Sequence, residues 1–275
     1  MIFAFLCVLL AHSAPEPPLV VASYSYPAFD RSVALAPMAD VVGHAAGRPV
    51  KIVLFDTPDA LSDAVCAGQV DVAMTNLGAW VTMRDCAGVN AIAVLDTPPT
   101  VLDRYRGVLL TRADTGISGL ADLSARTETL RYSEVLPGST SGALVQAAQL
   151  RELGVTPAHF AARLHAGTHD KSLEYLLAGE ADIAALAENP WRSLQESDPA
   201  RAETLRLLWR SDPLPPGPVI CREREAVPCA AIGNALLDAA AAATAEALAQ
   251  GWMETEGAER FRPYDEAVYA PFTSH

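Results

Sequence analysis

The chain has 275 residues, of which 51% are hydrophobic and 19% charged, and its formal net charge is −13. That length can bury one large or two medium cores, and the composition excludes a disordered or low-complexity chain. The acidic balance excludes a nucleic-acid partner or an acidic membrane surface and gives no long-range attraction for an anionic ligand, so any anion must be held by local donors.

In chain order, Ile2–Leu10 is wholly apolar and runs into the small residues Ala11-His12-Ser13-Ala14. This is the pattern of a secretory signal peptide over residues 1–14, cleaved after Ser13 or Ala14. The run is too short to span a bilayer, so a periplasmic protein that is not integral to the membrane is expected. Strands are predicted at Pro18–Ser23, Val50–Phe55, Asn90–Leu95, Gly107–Thr111, Thr129–Ser133 and Leu205–Arg210. Helices are predicted at Ser32–Ala46, Ala60–Ala67, Ala79–Cys86, Gly119–Leu123, Ala143–Leu153, Ser172–Ala178, Ala230–Gln250 and Gly257–Arg262.

An internal echo organises these elements. Ala67-Gly68-Gln69-Val70-Asp71-Val72-Ala73 and Ala178-Gly179-Glu180-Ala181-Asp182-Ile183-Ala184 share one pattern: an apolar helix, a glycine stop and a short apolar strand. Trp80 and Trp191 follow the two aspartates at matched spacing. The repetition predicts an α/β protein of two similar lobes with mostly parallel sheets. Tyr105–Arg112 leads out of the first lobe, and the proline-rich Ser211–Val219 leads back. Lobe one is then discontinuous, residues 17–105 and 215–275, with lobe two at 106–214. A cleft between lobes joined by two crossings can open and close on a ligand. Removing the leader leaves Cys66, Cys86, Cys221 and Cys229. In an oxidising compartment these predict two disulfides, and Cys66–Cys86 with Cys221–Cys229 is the favoured one of three connectivities. Paired C-x-x-C spacing with nearby histidines is missing, which argues against a metal site.

Pro137-Gly138-Ser139-Thr140-Ser141-Gly142 opens a predicted helix and gathers three hydroxyls where backbone N–H groups lack partners. Ser and Thr are ordinary helix caps, but the same geometry suits a small oxyanion without any Lys or Arg. The segment has no Walker lysine, and Thr140 stands where a nucleophile elbow needs serine. Ser139 or Ser141 with His169 and Asp170 supplies the residue types of a catalytic triad. Side chains adjacent on a helix diverge by about 100°, however, which counts against an enzyme.

The chain resembles the substrate-binding proteins of phosphate/phosphite/phosphonate ABC transporters. The resemblance rests on Pro137–Gly142, Leu150–Phe160, Gly167–Asp182, Arg210–Pro218 and Phe261–Tyr269, with looser matches at Gly68–Gly78 and Tyr105–Gly116. It implies a type II periplasmic-binding fold and no cofactor. It also implies a small-molecule ligand delivered to an ABC transporter permease, and a monomer is expected. By the family's pattern Ser139, Thr140, Ser141 and His169 contact the oxyanion head. Tyr24 and Tyr26, Thr57 and Asn76 follow strand ends in lobe one and face the ligand. Glu188 stands where aminophosphonate binders place a carboxylate.

Three features depart from that pattern. Leu77, Trp80 and Trp191 offer apolar walls, so a neutral or lipid-like ligand is the alternative, as is a periplasmic sensor input domain on the same fold. Glu134 lies three residues before the oxyanion loop and would oppose an anion. No Lys or Arg is assigned to the cleft, although Arg104 and Arg106 lie near the crossing.

Overall fold

A computed structural model describes residues 16–273, so the predicted signal peptide lies outside the described residues. The strands β1 (Leu19–Tyr24), β2 (Val50–Phe55), β3 (Val72–Met74) and β4 (Val89–Leu95) alternate with helices at Arg31–Ala46, Pro58–Cys66 and Leu77–Met83. Five further strands follow: β5 (Gly107–Arg112), β6 (Arg131–Glu134), β7 (Ala162–His165), β8 (Ile183–Ala187) and β9 (Leu205–Arg210). Two more, β10 (Val219–Arg222) and β11 (Phe261–Arg262), complete the set. They form a six-stranded sheet, β11-β4-β10-β3-β1-β2, and a five-stranded sheet, β7-β6-β8-β5-β9.

Both sheets are mixed, where mostly parallel ones were expected. β1 pairs in parallel with β2 and β3, and β6 with β7 and β8. The antiparallel partners include β10, set against β3 and β4, and β5, set against β8 and β9. The reason is connectivity. β5 and β10 are the strands that arrive from the other sheet, and each runs against the direction of the two strands between which it is inserted. The crossing segments are tied to each other, with Leu214 N–H donating to the Tyr105 carbonyl and Ser211 N–H to the Gly107 carbonyl, each at 2.9 Å.

Local sequence explains where the helices begin. Asp30, Thr57, Asn76 and Thr168 each accept a hydrogen bond from a backbone N–H two or three residues on. Such caps contribute about 1 kcal/mol each. The helices they start follow β1, β2, β3 and β7, and this sets their N-terminal, positive ends along one edge of the sheets.

The sequence echo has a structural counterpart. Asp71 accepts the Val20 N–H of β1 at 2.8 Å, and Asp182 accepts the Arg131 N–H of β6 at 2.9 Å, across the same separation of 51 residues. Arg224 pairs with Asp71, while Arg131 and Arg112 pair with Asp182. Each aspartate therefore fixes the start of one sheet's parallel strand. Both expected disulfides form, Cys66–Cys86 and Cys221–Cys229.

Several boundaries differ from expectation. The single helix predicted over Ala230–Gln250 is two, Cys229–Leu237 and Ala242–Ala249, because Asp238 leaves the helical conformation and its carboxylate takes the Ala240 N–H at 2.8 Å. The helix predicted over Gly257–Arg262 is instead the strand β11, since Gly257 turns the chain at φ 74° and Phe261 then pairs with Leu95 of β4. A short 3-10 turn at Thr127–Thr129 delays β6. The strands β7 and β10 escaped the sequence reading; β10 is four residues long and directly follows Pro213, Pro215, Pro216 and Pro218.

Candidate ligand-binding site

The segment after β6 does not enter a regular helix directly. Thr140–Leu144 forms a wide turn of the π type before the regular helix Val145–Glu152. Leu144 N–H reaches back five residues to the Ser139 carbonyl at 2.9 Å. The N–H groups before it have no intrahelical carbonyl to reach, so the wider turn frees one more donor than an α-helix would. Thr140 and Ser141 are buried and Ser139 is half-buried.

His169 opens the Thr168-capped helix His169–Leu177 and stands against this turn. A Cβ on Gly142 would collide with Val135 and lie 2.9 Å from His169 Cε1, so only glycine allows the approach. Ala187 N–H donates to His169 Nδ1 at 2.9 Å, which leaves the proton of the neutral ring on Nε2. Burial, with the Arg31 guanidinium adding to it, brings the imidazole down to about 4 from its ordinary 6.5. His169 is thus a neutral N–H donor at pH 7.

The first sheet supplies the opposite wall. Tyr26 Oη accepts the His169 backbone N–H at 3.2 Å, and the two rings are 6.2 Å apart. Burial raises the Tyr26 phenol to about 12. Gly78 N–H donates to Thr140 Oγ1 at 2.8 Å, and Asn76 Nδ2 donates to the Gly138 carbonyl at 3.1 Å. Loops from the two sheets are therefore in direct contact.

Other predicted residues have structural duties. Thr57 spends its oxygen on the Ala60 N–H, and Asn76 Oδ1 accepts from Ala79 N–H at 2.7 Å. Tyr24 is buried at the end of β1. Glu188 is ion-paired with Arg210 at 2.6 Å. Leu77 and Trp80 pack into one apolar cluster and Trp191 into another, so the structure makes them core residues instead of cleft walls. Glu134 does not oppose an anion as a bare charge, because Oε1 accepts from Arg163 Nε and His165 Nε2, each at 2.8 Å.

Three cleft residues escaped the sequence reading. Arg31, only 4% exposed, lies with its guanidinium carbon 4.1 Å from the Tyr24 ring centre, 5.2 Å from that of Tyr26 and 4.5 Å from that of Trp252. No Lys or Arg was assigned to the cleft from the sequence; Arg31 is a buried cation beside Tyr26. Tyr105 is raised well above its ordinary value by burial, against the opposing pull of hydrogen bonds with Ser141 and Thr140. Glu254, buried in the turn Met253–Thr255, is raised by burial, with its own backbone N–H and Arg31 opposing. Arg31 follows a capping aspartate in sequence and reads as an exposed first-turn residue, while Tyr105 and Glu254 reach the site by tertiary packing alone.

The family described as "ABC transporter, phosphonate, periplasmic substrate-binding protein" matches residues 26–269. The chain belongs to that family. The phosphonates-binding periplasmic protein of Escherichia coli K12 is 27% identical over 120 residues, a stretch covering 43% of this chain and 35% of that protein, so the match spans about a third of the relative's length. Among solved structures, PhnD1 of Prochlorococcus marinus in complex with methylphosphonate has TM-score 0.65 at 17% identity, covering 93% of this chain and 96% of the other. A binding-protein component of an ABC phosphonate transporter from Pseudomonas aeruginosa has TM-score 0.66 at 19% identity, covering 94% and 84%. At these identities the structural matches establish the fold: the α/β two-lobe architecture of periplasmic binding proteins. Among the described residues no helix is long and apolar enough to cross a membrane.

Proposed function

We propose that this protein is the periplasmic substrate-binding component of an ABC transporter and holds a small phosphorus oxyanion between two lobes, residues 17–105 with 215–275 and residues 106–214. The observation that carries the reading is the meeting of three donor sources. These are the open N–H groups of the wide turn after Ser139, the hydroxyls of Ser139, Thr140 and Ser141, and the Nε2–H of a neutral His169. Together they form a hydrogen-bonding shell in a largely buried setting, and hydrogen bonds to an anion are about twice as strong there as neutral ones. The contacts of Tyr26 with His169 and of Gly78 with Thr140 then correspond to a cleft shut over the ligand. A permease that recognises the closed form would complete the role, which needs no chemical step.

The test is a thermal-shift screen of the mature protein against phosphate, phosphite, methylphosphonate, 2-aminoethylphosphonate and a panel of neutral and lipid-like compounds. A ligand at 100 times its Kd adds about 2.7 kcal/mol of apparent stability. Stabilisation by a phosphorus oxyanion that is lost in Ser141→Ala and His169→Ala is the expected result. Silence from every oxyanion alongside a shift from an apolar compound refutes the reading.

A further inference from the structure

Arg31 breaks two local rules. It is the first residue of a 16-residue helix, where the helix dipole disfavours a cation, and it is buried although arginine almost never is unless paired. No carboxylate lies within ion-pairing distance among the described residues, since none of the ion pairs involves it. Its Nε donates to the Gly251 carbonyl at 2.9 Å and its Nη1 to the Tyr24 carbonyl at 3.2 Å. The Tyr24 phenol makes a further side-chain hydrogen bond with Arg31, and these three partners still leave part of a five-donor fork over. Three aromatic faces, Tyr24, Tyr26 and Trp252, hold the guanidinium in place. One of them, Tyr26, hydrogen-bonds His169 of the opposite sheet. Departures of this kind from local consistency mark functional positions.

We propose that Arg31 is the fixed cation of the ligand cleft, a specificity-determining group that makes the site accept a compact oxyanion and reject neutral ligands. The inference rests on the reading of this cleft as the ligand site. Its geometry explains how a chain of net charge −13 can hold an anion: the attraction is local, and the three rings with two carbonyls fix the guanidinium before the ligand arrives. The cost of ordering a long side chain is then met during folding and not during binding. Glu254 is the nearby carboxyl in this region whose field Arg31 opposes, and it makes no ion pair with Arg31. Binding an anion completes the charge balance that the protein leaves open.

The experiment is calorimetric titration of wild type, Arg31→Gln, Arg31→Met and Arg31→Lys with phosphate, phosphite and methylphosphonate. Circular dichroism checks that each variant is folded. Wild type binds at least one of the three; Arg31→Gln and Arg31→Met lose about 10- to 100-fold in affinity, as expected when a charge-assisted contact is removed. Arg31→Lys, which keeps the charge, recovers most of the loss in affinity, and the melting temperature of the ligand-free variants does not follow the affinities, as it would if Arg31 only packed the rings. As a second readout, NMR titration of His169 in ligand-free Arg31→Gln shows its pKa moving up from about 4, because the positive field that helps hold it down is gone. Should the variants fail to fold, a crystal structure of wild type with phosphite decides the matter. The phosphorus should lie within about 6 Å of the guanidinium, and separation beyond a screening length of about 8 Å overturns the proposal. Wild-type binding with an unimpaired Arg31→Gln refutes this inference alone. Wild type that binds none of the three refutes the functional reading and the inference with it.

Discussion

Gly78 offers a way to block closure without removing a ligand donor. It sits at the start of the Leu77–Met83 helix, where its N–H donates to Thr140 Oγ1 of the opposite sheet. A Cβ placed there would collide with Leu144 Cδ1 and stand 2.8 Å from the Gly138 carbonyl oxygen. Both obstacles belong to the second sheet, and one is backbone, so Gly78→Ala acts as a wedge between the halves. Forcing a methyl into such a contact costs about 1–3 kcal/mol. That corresponds to about 5- to 150-fold weaker ligand binding if closure and binding are coupled. Within its own helix the change works the other way, since alanine is favoured over glycine by up to about 1 kcal/mol. The ligand-free variant should therefore melt no lower than wild type. The assay pairs calorimetry, using whichever of phosphite, phosphate or methylphosphonate binds wild type, with small-angle scattering before and after ligand. Wild type should contract on binding, and Gly78→Ala should contract less and bind more weakly. Equal affinity and equal contraction would refute the claim that these loops meet only on closing.

Tyr26→Phe removes the hydroxyl that accepts the His169 N–H and should weaken ligand binding about fivefold, for a loss of about 1 kcal/mol, while leaving the melting temperature of the free protein nearly unchanged. Reduction of the disulfides should lower thermal stability. The chain-entropy relation gives about 3 kcal/mol for Cys66–Cys86, with its separation of 20, and about 2.5 kcal/mol for Cys221–Cys229, with its separation of 8; melting curves with and without reductant, and of the two Cys→Ser pairs, test the order. His169 titrates near 4 in the folded chain against 6.5 ordinarily, so the unfolded state takes up its proton first and stability should fall by about 3 kcal/mol as pH drops from about 6.5 to 4. His169→Gln should flatten that part of the curve. Asp182 has the opposite habit among acids: burial raises it, yet hydrogen bonds from Arg131 and Arg112 outweigh burial and hold it at about 2, so its contribution is present above pH 4 and disappears as pH falls through 2. Denaturant melts of Asp182→Asn across that range should lose the acid-sensitive step.

What the sequence made legible follows the range of the forces involved. Asp30, Thr57, Asn76 and Thr168 act within three residues of themselves, and the helices they start were expected to within three residues of their observed ends. The paired aspartates Asp71 and Asp182 were visible as a repeat, but their clamp on the N–H groups of Val20 and Arg131 was not, because it spans 51 residues. The turn at Ser139–Ser141 and His169 were linked only through the family's motif, and the structure sets them side by side at Gly142. Arg31 was hidden: a cation at a helix start reads as solvent-facing, and only the rings of Tyr24, Tyr26 and Trp252 give it a buried place. Trp80 and Trp191 erred the other way, since large aromatics near strand ends fit a ligand wall and a core equally well until their neighbours are known.

The position of β10 bears on when this chain can fold. It lies between β3 and β4, so the middle of the first sheet is closed by residues Val219–Arg222, made more than a hundred residues after the strands they join. As the chain emerges, its first strands have no complete sheet to enter, whereas β5 to β9 can assemble from one uninterrupted stretch. The half that starts the sequence therefore cannot complete its sheet until most of the chain has been made.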